Sequence, residues 1–410
     1  MTPDGAPAWG RFDDLRAGSS HLLRASHGVL RADRLADVVP VLRAAEEAAG
    51  RGLWAFGFLA YEAAPAFDPG LAVHEPVAGL PLAWFGLAGA LEPAPPPRAG
   101  PADPAGSSGS SGPVTGGGRY AAGPWACAWT REQHRAAVAA VRARIAAGDT
   151  YQVNLTSRFT GPVTGDAAAL YADLAAAAGG AHHAFLDTGR FAVASASPEL
   201  FFAALGDEVT MRPMKGTAPR GATPAEDRRL VRRLRTSPKE RAENVMIVDL
   251  VRNDLSRVAT AAGPRVTSLC DVETYPTVHQ LTSQVVATAR VGTGLVDLVG
   301  ALFPCGSVTG APKRSTMRII HDLEDGPRGV YCGALGLVAP AGSGVPTRFA
   351  VPIRTLLVDR ERATGTYGAG GGITWGSRAG AEYDELLVKA RILTGLATSA
   401  APGPPPTTRR

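Results

Sequence analysis

The chain has 410 residues, 45% of them hydrophobic and 19% charged, with a formal net charge of +5. That size and balance suit a soluble globular protein with one large core or two lobes, and so thin a charge, with no Lys/Arg block interleaved with aromatics, calls for no nucleic-acid partner. No run of about 18 apolar residues occurs to cross a membrane, and no basic start leads into an apolar leader, so a cytoplasmic protein with no membrane partner is expected.

Residues 1–92 form a first section. Val39 to Ala49 reads as a helix and Trp54 to Glu62 as a strand with its end. Residues 93–124 are rich in Pro, Gly and Ser, too poor in apolar side chains to build a core, and are expected to be a flexible linker. The catalytic section is expected over 125–397, and the tail 398–410, with Pro404-Pro405-Pro406, is expected to be disordered.

The second section opens on a helix. Thr130 and Gln133 make a capping box, Val138, Val141 and Ile145 form an apolar stripe, and Gly148 stops it. Tyr151 to Phe159 then alternates, with Val153, Leu155 and Phe159 on one side and Gln152, Asn154, Thr156 and Arg158 on the other. Strands are expected near 191–196, 200–204, 281–289, 333–339, 348–358 and 366–374, and helices over 225–236, 238–255, 311–323 and 379–397. Without a regular βαβ period, this order predicts an α+β fold with large, mainly antiparallel sheets. Arg228, Arg229, Arg232, Arg233 and Arg235 read as a solvated helix face. Cys127, Cys270, Cys305 and Cys332 make no CxxC pair and are expected as free thiols.

Only four lysines, Lys215, Lys239, Lys313 and Lys389, stand against thirty-eight arginines. Lysine is a primary amine that can lose its proton and attack carbon, whereas arginine stays charged. Lys215, in Pro213-Met214-Lys215-Gly216-Thr217, is either such an amine or an ordinary surface lysine. Glu240 and Glu243 lie three apart on one predicted helix, and Glu382 and Glu385 on another. They are either solvated faces or an all-oxygen site for a hard cation such as Mg²⁺, and the apolar run after Glu243 makes that carboxylate costly unless paired or ligated. Glu199, between strand-like runs, is a turn glutamate or a general acid raised in pKa by apolar neighbours. The Gly-rich loops 306–313 (with Thr309) and 368–373 (with Gly370, Gly371 and Gly372) are tight turns or anion cradles; neither has the spacing of a Walker A or dinucleotide loop. Arg354 in an apolar strand needs a carboxylate, from the protein or from a substrate. His279 is a core histidine or a donor to a substrate. His321 and the His182-His183 pair have no metal-ligand spacing.

Taken in order, GDTYQVNLTSRF from Gly148, SPELFF from Ser197, PMKGTAPRG from Pro213, ENVMIVDLVRNDL from Glu243, HQLTSQV from His279, FPCGSVTGAPK from Phe303, GVYCGALG from Gly329, IRT from Ile353 and GAGGGI from Gly368 resemble the chorismate-utilising enzymes. The resemblance covers most of 125–395. It implies two large, mainly antiparallel sheets packed together and wrapped by helices around a Mg²⁺-dependent chorismate site. It implies Glu243 and Glu385 as Mg²⁺ ligands, with Glu240 and Glu382 supporting them. Arg354 and Tyr331 are implied to bind the enolpyruvyl group, Gly370 to Gly372 the ring carboxylate, and Thr309 to sit in a substrate-binding loop. Glu199 matches the general acid and His279 the histidine near the ring.

Two positions are implied to select the reaction. Gln152 stands where isochorismate and salicylate synthases carry a water-activating Lys, which disfavours water addition. Lys215 matches the Lys-bearing motif of aminodeoxychorismate synthases, where anthranilate synthases have a small residue. The implied reaction converts chorismate and ammonia, delivered by a separate glutamine amidotransferase subunit, to 4-amino-4-deoxychorismate for p-aminobenzoate and folate synthesis. Alternatives are an anthranilate synthase component I and a non-catalytic subunit that binds chorismate or an amidotransferase. Departures from the pattern are Met214, Asn244 where His is common, Leu386, Trp375, and Pro352, which removes a ladder donor and predicts a bulge before Arg354.

Overall fold

The computed structural model describes residues 8–97, 118–275 and 278–396. The middle of the expected linker and the expected tail fall outside them. The flanks of the linker are paired: Glu92–Pro93 lies on Ser19–Arg24, and Tyr120–Ala122 on Gln152–Gly165.

Among the described residues, two antiparallel sheets of eleven and ten strands make the architecture. The first sheet runs in the order Gly310–Ala311, Gln152–Gly165, Thr364–Ile373 (the glycine strand), Thr355–Asp359, Phe191–Ser197, His182–Asp187, Trp9–Asp14, Ser19–Arg24 and Glu92–Pro93. The second runs Met214–Pro219 (the lysine strand), Val278–Thr288, Glu208–Arg212, Leu200–Leu205, Thr347–Ala350, Ala334–Val338, Trp54–Leu59, Ala83–Ala88 and Val29–Ala32, with Arg265–Thr274 also on Val278–Thr288. Strands from before and after the linker thus share both sheets.

A core of Phe12, Leu23, Phe56, Phe58, Val193 and Leu335 joins the sheets face to face. The outer face of the second sheet is covered by helices Leu35–Gly50, Pro238–Ser256 and Leu295–Leu302, and that of the first by Ala167–Ala178 and Ala379–Ala390. This is the α+β sandwich that the chain order predicts.

Helix starts follow local chemistry. Thr130 and Gln133 form both halves of the capping box, Thr223 caps Pro224–Thr236, and Ser237 caps the helix that carries Glu240 and Glu243, each followed by Pro in its first turn. The five arginines of Pro224–Thr236 are solvent-exposed, as their spacing predicts. The last helix ends at Ala390 and tightens to a 3₁₀ turn over Arg391–Leu396, short of the helix expected to 397.

One expectation needs correction. Residues 348–358 do not form one bulged strand. Thr347–Ala350 belongs to the second sheet and Thr355–Asp359 to the first, so Pro352 to Arg354 steps between sheets. Ser197-Pro198-Glu199 makes the same step beside it, from Phe191–Ser197 to Leu200–Leu205. The two steps are tied together: Val351 N donates to Glu199 O at 3.1 Å, Ser197 Oγ to Val351 O at 2.6 Å and Ala196 N to Arg354 O at 3.1 Å.

Candidate active site

The crossings bring two predicted site residues between the sheets. Glu199 is buried, and its Oε1 has no hydrogen-bond partner among the described residues. Burial pushes its carboxyl up to about 7, against the opposing pull of the Ser307 hydroxyl and Lys215. Arg354 takes a left-handed backbone (φ 50°). Burial lowers its pKa, and no carboxylate pairs with it among the described residues.

The amine of Lys215 reaches inward and donates to Ser307 O at 3.1 Å. Burial lowers its pKa, Lys389 acts in the same direction, and Glu199, Glu243 and Glu385 oppose. Lys215 is therefore no surface lysine. Opposite it stands the glycine strand. A Cβ at Gly372 would lie 2.6 Å from Gln152 Nε2 and 3.4 Å from Lys215 Nζ, so both side chains converge over that glycine. Gln152 is buried, and neither end of its amide has a hydrogen-bond partner among the described residues. The neighbouring strand Thr355–Asp359 pairs with the glycine strand only as far as Tyr367, which leaves Gly368 to Gly372 as an edge on that side. Tyr331 packs its ring where a side chain at Gly368 would sit, with a Cβ there only 2.2 Å from Tyr331 Cδ1.

The four carboxylates form one cluster. It lies over two glycines: a Cβ at Gly216 would sit 2.9 Å from Glu240 Oε2, and one at Gly371 would be in ordinary contact with Glu382 Oε2 at 3.6 Å, Glu385 Oε1 at 3.7 Å and Lys389 Nζ at 3.7 Å. Burial raises Glu240, Glu243 and Glu382, and mutual repulsion adds to it. Burial also pushes Glu385 upward, but Lys389, 2.8 Å away, together with Lys215 and Lys239 leaves that carboxyl below its usual range. Lys389 Nζ also donates to Gly370 O at 2.6 Å, and Lys239 lies 3.7 Å from Glu243. Three of the four lysines thus surround the cluster, and the fourth, Lys313, pairs with buried Asp254 at 3.0 Å. Among the described residues no three His, Cys, Asp or Glu side chains are arranged to enclose a metal ion. Mg²⁺ needs only one or two carboxylates plus waters and a substrate anion, so this all-oxygen donor set fits it.

Two other predicted residues have their polar groups engaged elsewhere. The ring nitrogens of His279 meet Asp227 Oδ1 at 2.9 Å and Thr274 Oγ1 at 2.9 Å, and His279 is not among the charged neighbours of Lys215. The Thr309 hydroxyl donates to Cys305 O at 3.1 Å and its carbonyl accepts from Asn154 N at 2.7 Å, so it braces its own loop. Sequence reasoning missed Arg328. This buried guanidinium binds Glu324, Val308 O and Asn154 O, joining the loop behind Lys215 to the Gln152 strand. It also missed Lys239 and Lys389, which the scarcity of lysine pointed to.

The chain belongs to the chorismate binding enzyme family, whose profile matches residues 7–395. It is 45% identical over 260 residues to the aminodeoxychorismate synthase of Streptomyces griseus, covering 63% of this chain and 35% of that one. It is 41% identical over 271 residues to anthranilate synthase component 1 of Streptomyces coelicolor, covering 66% and 52%. The chain therefore spans between about a third and a half of these relatives' lengths. Its fold matches the crystal structure of anthranilate synthase component I from Streptococcus pneumoniae with a TM-score of 0.72 at 24% identity, over 95% of this chain and 90% of that one. No helix among the described residues is long and apolar enough to cross a membrane.

Proposed function

We propose that this chain is the chorismate-converting component of an aminodeoxychorismate synthase. The observation that carries the reading is the Lys215–Glu199 pair. Burial pushes an amine toward its neutral form and a carboxyl toward its acid form, the two forms a nucleophile and a general acid need. The neutral Lys215 amine adds to one end of the ring diene, the double bonds shift, and the hydroxyl leaves from the other end as water with the proton of Glu199. Ammonia then adds at the carbon the hydroxyl left. The double bonds shift back, Lys215 departs as a free amine, and the Glu199 carboxylate takes the surplus proton from the new amine. Chorismate and ammonia thus give 4-amino-4-deoxychorismate and water.

Arg354, with no carboxylate paired to it among the described residues, suits the enolpyruvyl carboxylate, and Tyr331 is assigned to the same group. The edge of Gly370 to Gly372, unpaired on the side of Thr355–Asp359, offers backbone N–H groups to the ring carboxylate. Gln152 offers a donor and an acceptor to the reacting face but cannot act as a base, which disfavours water as the nucleophile. Glu243 and Glu385 would hold Mg²⁺, with Glu240 and Glu382 in support; bound there, the ion supplies positive charge to the ring carboxylate. Ammonia would come from a glutamine amidotransferase subunit, in keeping with the "component 1" in the name of the Streptomyces coelicolor relative.

A second reading, anthranilate synthase component I, is favoured by the 41% identity to that same relative. Mass spectrometry of the products from chorismate, Mg²⁺ and ammonium, with an aminodeoxychorismate lyase added, separates the two. p-Aminobenzoate supports the proposal, anthranilate as the main product replaces it with the second reading, and unconsumed chorismate leaves a binding subunit.

A further inference from the structure

Asn244 follows Glu243 on the helix Pro238–Ser256 and is 1% exposed. A buried primary amide brings two donor hydrogens and an acceptor oxygen, all of which need partners. Here each has one. Nδ2 donates to Leu281 O at 3.3 Å and to Lys215 O at 3.5 Å. Oδ1 accepts from Ser283 Oγ at 2.5 Å and faces Cys270 Sγ at 3.6 Å. Ser283 Oγ in turn accepts from Cys270 N at 2.9 Å, and Ser283 N donates to Pro213 O at 3.1 Å. One helix residue therefore grips three strands at once.

What it grips matters more. The lysine strand pairs with Val278–Thr288 at Met214↔Thr282 and again at Thr217↔Gln280, with a register shift in between. Lys215 and Gly216 (φ 91°) form the irregular part and have no ladder partners. An irregularity of this kind re-aims a side chain at the cost of local pairing. The ladder thus does not fix the backbone of Lys215, and the amide of Asn244 meets its carbonyl instead.

We infer that Asn244 is a positioning residue for Lys215. Resting on the reading of Lys215 as the nucleophile, this deepens that reading. Asn244 clamps the irregular turn so that the amine points over Gly372 toward Glu199. It also binds that turn to the helix bearing Glu243, so the amine and the carboxylate cluster keep a fixed spacing.

The test uses the full chain, Asn244→Leu (similar volume, no hydrogen bonds) and Ser283→Ala, which removes the hydroxyl that orients Oδ1. In steady-state assays of chorismate amination, Asn244→Leu is expected to lower kcat by about 10- to 100-fold, the scale of an ångström-level misplacement, with the chorismate KM within about twofold of wild type. Its acid limb is expected to shift, because the amine no longer sits in the same pocket. A folded Asn244→Leu protein with wild-type kcat, or with kcat and KM altered in step with lost stability, overturns the inference. Should that variant fail to fold, Ser283→Ala decides. A severalfold lower kcat at unchanged KM supports the clamp, and wild-type kcat refutes it. An activity-independent readout separates this from the proposed function. The rate of reductive methylation of Lys215, measured by mass spectrometry with Lys239 and Lys389 as internal references, is expected to change severalfold in either variant. If wild type forms no aminodeoxychorismate but the labelling ratio still moves, the function falls and the clamp stands; an unmoved ratio removes the clamp.

Discussion

Replacing Arg328 by Met tests how the site is braced. Both partners of its ion pair are buried, with side chains 3% exposed for Arg328 and 5% for Glu324. The guanidinium donates to Glu324 at 2.9 and 2.7 Å, to Val308 O at 2.7 Å and to Asn154 O at 2.8 Å, with the Tyr61 ring 4.7 Å from its Cζ. Methionine fills similar space but leaves the Glu324 carboxylate with only Thr156 N and Oγ1, each at 2.8 Å. Breaking a buried pair from one side costs about 3–5 kcal/mol. Two orphaned carbonyls add to that, and partial relaxation offsets them, so a loss of about 4 kcal/mol is expected. Urea unfolding followed by tryptophan fluorescence measures it. Adding Glu324→Gln keeps an acceptor for Thr156 and removes the stranded charge, so the double variant should recover about half of the loss. An Arg328→Met protein within about 1 kcal/mol of wild type, or a double variant no more stable than the single one, would refute the reasoning.

Three more expectations concern the site. In the proposed reaction Glu199 donates a proton; burial pushes its carboxyl up to about 7, so its acid form dominates below that pH and activity should fall as pH rises through it. Because Lys215 and Glu199 are coupled, the limbs of the profile belong to the pair; Glu199→Gln should lower kcat by about 10²- to 10⁴-fold and abolish the basic limb. Gly370→Ala would push a Cβ to 2.2 Å from Leu155 O and 2.7 Å from Thr156 Cα, both backbone, so the strand pair must open there; a lower melting temperature and lost chorismate binding by calorimetry are expected. Glu243→Gln should weaken Mn²⁺ binding, read by electron paramagnetic resonance, by about tenfold or more; an unchanged affinity would move the metal ligands elsewhere.

Much of this was legible in the sequence because the signals are local. Thr130 with Gln133 and the alternation of Gln152 to Phe159 depend on neighbours within a few residues, and both elements form. The run FAVPIRTLLV looked like one strand because periodicity records which residues are apolar and not which sheet receives them. Its two halves are buried equally well in different sheets, and only Pro352 hinted at the break. The partner that occupies His279 is Asp227, 52 residues away on the helix Pro224–Thr236, and no local pattern predicts that meeting. Lysine scarcity was a usable global signal applied to one position. It held equally for Lys239 and Lys389, whose helices carry the acidic residues they neutralise.

The paired crossings at Ser197-Pro198-Glu199 and Pro352 to Arg354 act as rivets through the sandwich. Each passes from one layer to the other, and they are hydrogen-bonded to one another. The layers cannot slide at that point without tearing both. The acid and the guanidinium, riding on the rivets themselves, therefore keep their mutual spacing while the outer helices and rim strands drift in shape or composition.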